Sequence, residues 1–124
     1  MSKIKDVNPS TALSMIRKGA LLVDVREGRE VEQLAFDVPD VLVVPLSRLE
    51  NRVAEIPSDR KVIVACKSGN RSQVAARILL NHGYGQVLNM QYGILGWSRE
   101  GLPVKSEPKP QQFAWLRKLI GSES

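Results

Sequence analysis

Three short runs of branched apolar residues constrain the fold of this chain more than any other feature: Leu21 to Val25, Val41 to Val44 and Val62 to Ala65. They lack the polar alternation of a strand with one wet face, so each is expected to be covered on both sides, as in a parallel sheet. Helical patterns separate them. Asn8-Pro9-Ser10 reads as a helix start with Ser10 as N-cap, and Ala12, Leu13 and Ile16 continue the spacing until Gly19. Residues 29–35 form a second, short helical stretch. Pro39-Asp40 turns the chain into the run at Val41, and Pro45 closes that run. Ser47 is placed to cap a helix carrying Leu49, Val53 and Ile56, which Pro57-Ser58-Asp59 ends. Val74, Ala75, Ile78 and Leu79 mark one buried stripe of a further helix, with Gly83 at its C-cap. Gln86 to Met90 is a short strand, and Gly93 and Gly96 bracket a tight turn before Trp97, a core residue. Strands alternating with helices predict an α/β domain with a mainly parallel central sheet flanked by helices on both faces.

At 124 residues the chain fits one domain with one core. The domain is expected over residues 1–104. Residues 105–124 follow as a polar, proline-containing linker and a short amphipathic C-terminal helix, in which Phe113, Leu116 and Ile120 line one side with Trp115 and Leu119 beside them. That apolar side calls for a partner surface, in its own domain, another protein, or a second copy as a homodimer. The net charge of +5 raises the question of nucleic acid. Only 5% of residues are aromatic and the cations are dispersed, so a modest field for small anions is the better reading and no nucleic acid is expected. No apolar run is long enough to span a bilayer. The polar start, Met1 to Lys5, does not read as a secretion signal, so a cytoplasmic location is expected.

The single cysteine, Cys66, lies where the run Val62 to Ala65 gives way to a loop, Lys67-Ser68-Gly69-Asn70, and then to a helix opened by Arg71 and Ser72. One cysteine excludes an internal disulfide, and with one histidine (His82) it argues against a Cys/His metal site. No metal or cofactor is expected. A strand–Cys–loop–helix junction aims backbone N–H groups and the positive end of a helix dipole at the sulfur. That setting lowers a thiol pKa and holds an anion beside the thiolate, so Cys66 is read as a nucleophile. His82 is read as a water-facing residue at a helix end. The other charges along 26–32 and 48–61, apart from the residues given a role at the site, are read as solvated faces.

Three motifs, in order, resemble the single-domain rhodanese, or sulfurtransferase, family across roughly residues 4–104. Leu22-Val23-Asp24-Val25-Arg26-Glu27 is similar to the family's L-[IV]-D-V-R-E. Cys66-Lys67-Ser68-Gly69-Asn70-Arg71-Ser72 is similar to its active loop, C-x-x-G-x-R-S. Tyr92-Gly93-Ile94-Leu95-Gly96-Trp97 with Gly101-Leu102-Pro103-Val104 is similar to the closing G-G-[IM]-x-x-W…G-[LF]-P-[VI]. The chain departs from the family at Phe36-Asp37-Val38-Pro39-Asp40-Val41, where many members carry G-H-I-x-G-A; this bears on the rim of the site more than on its chemistry.

The resemblance implies an enzyme that moves a sulfane sulfur from thiosulfate or a persulfide donor to cyanide or a thiol, through a persulfide on Cys66. Loop amides would carry the sulfur's charge, Gly69 would permit the cradle, and Ser68 and Ser72 would add hydrogen bonds. Lys67 and Arg71 would attract a small anionic donor. For Arg71 two roles stand open, oxyanion binding or an ion pair with Asp24, Glu27 or Glu30 that fixes the loop. Asp24 and Arg26 are supporting residues, Asp24 as an acceptor that braces the loop. Related phosphatases of this fold have a loop one residue longer, C-x-x-x-x-x-R, so the short loop favours sulfur over phosphate. The other readings are a non-catalytic module that docks a protein partner, against which the intact cysteine speaks, and a carrier in a sulfur relay between proteins.

Overall fold

The computed structural model describes residues 4–106. Along them run β1 (Lys5–Val7), α1 (Pro9–Arg17), β2 (Leu21–Asp24), α2 (Gly28–Gln33), β3 (Ala35–Phe36) and β4 (Val41–Val43). Next come α3 (Leu49–Arg52) between 3₁₀ turns at Leu46–Arg48 and Val53–Glu55, then β5 (Val62–Ala65), α4 (Asn70–Asn81), β6 (Val87–Met90), α5 (Gly93–Arg99) and β7 (Val104–Lys105). The apolar runs pair, as expected, in a five-stranded parallel sheet ordered β1-β6-β5-β2-β4. β3 and β7 form a small antiparallel pair apart from it.

Both faces of the sheet are covered, which is why its strands need no polar side. Leu21 and Val23 of β2 and Val62 and Val64 of β5 pack under Leu49, Ile56, Ala75, Ala76 and Leu79. The intervening residues, Leu22, Ile63 and Ala65, meet Ala12, Leu13 and Ile16 of α1 and Ile94 and Trp97 of α5 on the other face. Trp97 is the core residue expected: it is fully buried, meets the Phe36 ring edge-on at 5.1 Å, and donates its indole N–H to Pro103 O at 2.7 Å.

Local details correct the reading from sequence. Asn8, not Ser10, caps α1, its side chain accepting from Thr11 N at 2.8 Å; Pro9 then fills the first turn, where its missing N–H costs nothing. Ser47 caps no helix: it lies within the first 3₁₀ turn and donates to Glu27 Oε2 at 3.0 Å. Gly93 and Gly96 lie inside α5 and not around a turn: a Cβ at 93 would strike the carbonyls of Cys66 and Lys67, and one at 96 the side chain of Tyr92 at the helix's own N-cap. Lys105, expected to open the linker, is paired with Ala35 in β7. The expected C-terminal helix from Phe113 to Ile120 lies outside the described residues. No described helix is long and apolar enough to cross a membrane.

Candidate functional site

The carboxyl ends of β2 and β5, adjacent at the centre of the sheet, build the site, and Asp24 of β2 stands in register with Ala65 of β5. One residue past β5 sits Cys66, 1% exposed. The chain then curls so that Gly69 N–H donates to Cys66 Sγ at 3.1 Å. Gly69 has φ +110°, a conformation that side chains rarely adopt, and a Cβ there would stand 3.2 Å from Tyr92 N. It is also the N-cap of α4, so the positive end of that twelve-residue helix faces the sulfur. Burial pushes the Cys66 thiol up. The Ser72 hydroxyl and the backbone N–H groups of Ser72, Gly69 and Ser68 outweigh it, so the thiol lies below its ordinary value.

A second helix holds the loop from behind. Ile94 N–H donates to Cys66 O at 2.9 Å and Leu95 N–H to Lys67 O at 3.1 Å. Those carbonyls thereby turn away from the sulfur, and the loop's N–H groups turn toward it. The approach needs a glycine at 93: a Cβ there would lie 2.4 Å from both carbonyl oxygens.

Arg71, on the first turn of α4, is held by Glu30 of α2 through both terminal nitrogens at 2.8 Å. Its hydrogen bonds, opposed by burial, hold the Glu30 carboxyl at about 2. Of the two roles left open for Arg71, the ion pair is the one present, and its positive charge still faces Cys66 and Asp24. Asp24 does not brace the cysteine loop as expected. It accepts from Arg26 N at 3.1 Å, Nε at 3.0 Å and Nη2 at 2.8 Å, so it braces the turn after β2. Arg26 is 2% exposed, beneath that carboxylate and over the Phe36 ring. Its charge is buried because the carboxylate meets it in the two-pronged geometry that a guanidinium favours. His82 ends α4 at the surface with Nε2 2.9 Å from Glu50 Oε1.

Lys67, Ser68 and Asn70 are exposed at the rim. A cleft of ≈ 200 Å³ opens beside them, lined by Ser68, Gly69, Asn70, Gln73, Gln91 and Tyr92 together with Asp6 and Asn89. Tyr92 is 60% exposed and has φ +66°, unusual for any residue but glycine. A larger hollow of ≈ 470 Å³ lies at the opposite end of the sheet, among Lys5, Lys61, Tyr84 and Gln86, and holds no thiol.

Two site residues escape a reading of the sequence. Asn89 is 1% exposed on β6 and accepts from the Ser72 hydroxyl; its only signal is a polar residue inside the run Val87-Leu88-Asn89-Met90. Asp6 accepts from Asn89 Nδ2 at 3.0 Å and has no signal at all, since only the placement of β1 beside β6 joins residues so far apart in sequence.

Comparison with known proteins agrees with this architecture. The sequence pattern of the rhodanese-like domain matches residues 8–100. The chain belongs to the rhodanese-like family. It is 45% identical over 84 residues to a sulfurtransferase of Allochromatium vinosum, covering 68% of this chain and 77% of that one. It is 31% identical over 101 residues to the thiosulfate sulfurtransferase GlpE of Haemophilus influenzae, covering 81% and 93% of the two chains. Among solved structures, a rhodanese-related protein of Thermoplasma volcanium superimposes with a TM-score of 0.74 at 29% identity, over 83% of this chain and 99% of that one. This rhodanese-like domain is thus of the sulfurtransferase family and has a single cysteine.

Proposed function

We propose that this protein is a sulfurtransferase in which Cys66 carries the sulfur. The observation that supports it best is the loop around Sγ: the chain's single thiol lies against the N-terminus of α4 with Gly69 N–H at 3.1 Å. The Cys66 thiolate would attack the outer sulfur of thiosulfate, forming the S–S bond of a persulfide and releasing sulfite with the bonding electron pair. Cyanide or a thiolate acceptor would then attack that outer sulfur and release Cys66 as thiolate. Both steps place negative charge on sulfur, and fixed backbone dipoles stabilise it without reorganising. Lys67, exposed at the rim, would draw in an anionic donor, while Arg71, pinned by Glu30, would contribute field and loop geometry.

A protein that bears the acceptor or donor sulfur is a second reading, favoured by one observation: Tyr92 and Leu95, both exposed, flank the loop. The test is intact mass after incubation with thiosulfate, then turnover with cyanide. The chain should gain one sulfur that a reductant removes. Cys66→Ala should gain none and lose turnover while keeping its fold. Substantial turnover in that variant would overturn the assignment.

A further inference from the structure

Behind Cys66 a line of polar side chains leaves the loop and crosses two strands to the sheet edge. The thiol donates to Ser72 Oγ at 3.5 Å, the Ser72 hydroxyl donates to Asn89 Oδ1, and Asn89 Nδ2 donates to Asp6 Oδ1 at 3.0 Å. Ser72 and Asn89 are buried, and Asp6 is exposed on the edge strand β1. The far end dictates every donor in the line. As a carboxylate, Asp6 accepts and has nothing to donate. It therefore draws the NH₂ of Asn89 and leaves the amide oxygen for Ser72. A hydroxyl has one proton; with that proton on Asn89, Ser72 shows the sulfur only lone pairs.

Such an arrangement suits a thiol and does not suit a thiolate, which needs donors. When charge arrives on Sγ, the Ser72 proton must turn from Asn89 to the sulfur, because a hydrogen bond to an anion is roughly twice as strong as a neutral one. The turn leaves the buried Asn89 oxygen without its donor, a cost that opposes the thiolate.

We infer that Asn89 and Asp6 are positioning residues that make the Ser72 hydroxyl a two-position switch. Its proton rests on Asn89 while Sγ is uncharged, as thiol or as the inner sulfur of a persulfide, and moves to Sγ while Cys66 is a thiolate. The inference rests on reading Cys66 as the nucleophile, but not on which donor or acceptor it serves. Such a switch supplies a donor at the moment Cys66 leaves as thiolate. It also keeps the resting sulfur from being so stabilised that it loses nucleophilicity, which falls with thiol pKa.

The other charged groups around the loop stay in place in the variants below. They are Arg71 on α4 with Glu30 of α2, the Asp24–Arg26 pair after β2, and Lys67 in the loop itself. The experiment is alkylation of Cys66 by a neutral iodoacetamide reagent as a function of pH, on the full chain. Ser72→Ala should raise the midpoint by about one unit, tenfold in thiolate fraction at a pH below it. Asp6→Ala frees the Asn89 amide to turn and should lower the midpoint; Asn89→Leu should lower it too. Lowering by simple loss of a negative charge is separated by the double variant: Asp6→Ala should have no further effect once Ser72 is alanine. An unchanged midpoint in Asp6→Ala, or the same shift with and without Ser72, would overturn the proposal. Asp6 is exposed on an edge strand, so its variant keeps the test open if Asn89→Leu fails to fold. Alkylation uses no sulfur donor, so a chain that took no sulfur from thiosulfate would contradict the proposed function and leave this result readable.

Discussion

Replacing Gly93 by alanine tests how tightly α5 is seated on the cysteine loop. The added Cβ would meet Cys66 O and Lys67 O at 2.4 Å and Lys67 C at 2.5 Å, all backbone atoms that cannot swing aside as a side chain would. At φ +54° the alanine would also sit in the left-handed region, at about 1–2 kcal/mol. Relieving the overlap requires α5 to back away from the loop, an overpacking cost of about 1–3 kcal/mol. The bonds from Ile94 N and Leu95 N, now 2.9 and 3.1 Å, would stretch, at about 0.5–1.5 kcal/mol each. These contributions overlap, so the expected loss is about 3–5 kcal/mol, a large share of an ordinary domain's stability. Urea unfolding should report it, and Tm should fall by more than about 10 °C at roughly 4 °C per kcal/mol. Gly28→Ala is the control: a Cβ there meets nothing within 4 Å, and it should change stability by less than about 1 kcal/mol. A Gly93→Ala protein within about 1 kcal/mol of the parent would refute the close seating and the argument that α5 orients the loop carbonyls.

The remaining expectations concern the rim and the ion pair. Glu30 is held at about 2 against an ordinary 4.5, so its contribution is present above the unfolded value and is lost as pH falls through the folded one. With the partners 35% and 31% exposed, solvent screens the pair to about 1 kcal/mol; the parent should lose that much more stability than Glu30→Gln between about pH 5 and pH 2, and parallel profiles in denaturant would contradict this. Tyr92→Gly relieves a left-handed tyrosine and should stabilise the fold by up to about 1 kcal/mol in thermal unfolding; a loss of stability would mean that the ring's packing outweighs the backbone strain. Lys67→Ala should raise KM for thiosulfate more than it lowers kcat, and more at low salt than at high; an unchanged KM would leave Lys67 a surface charge.

What the sequence determined by itself is what short-range physics decides. The apolar run at Val62 has no alternation and requires two covered faces, and both are covered; the run at Val41, on the edge strand β4, is only half-buried. A thiol between a strand end and a helix start is bound to meet loop amides and a helix N-terminus, because those groups are within a few residues of Cys66. Tertiary structure alone decided the rest. The choice of Glu30 for Arg71 depends on where α2 settles over the end of the sheet. Gly93 looks like a turn residue until α5 is seen pressed on the loop, and Gly96 until the Tyr92 side chain is seen against it. Asp6 is farthest from legibility. Strand order in a parallel sheet is set by burial summed over both faces, and that sum, not any local pattern, lays β1 beside β6 and brings Asp6 to Asn89 and Ser72 behind the sulfur.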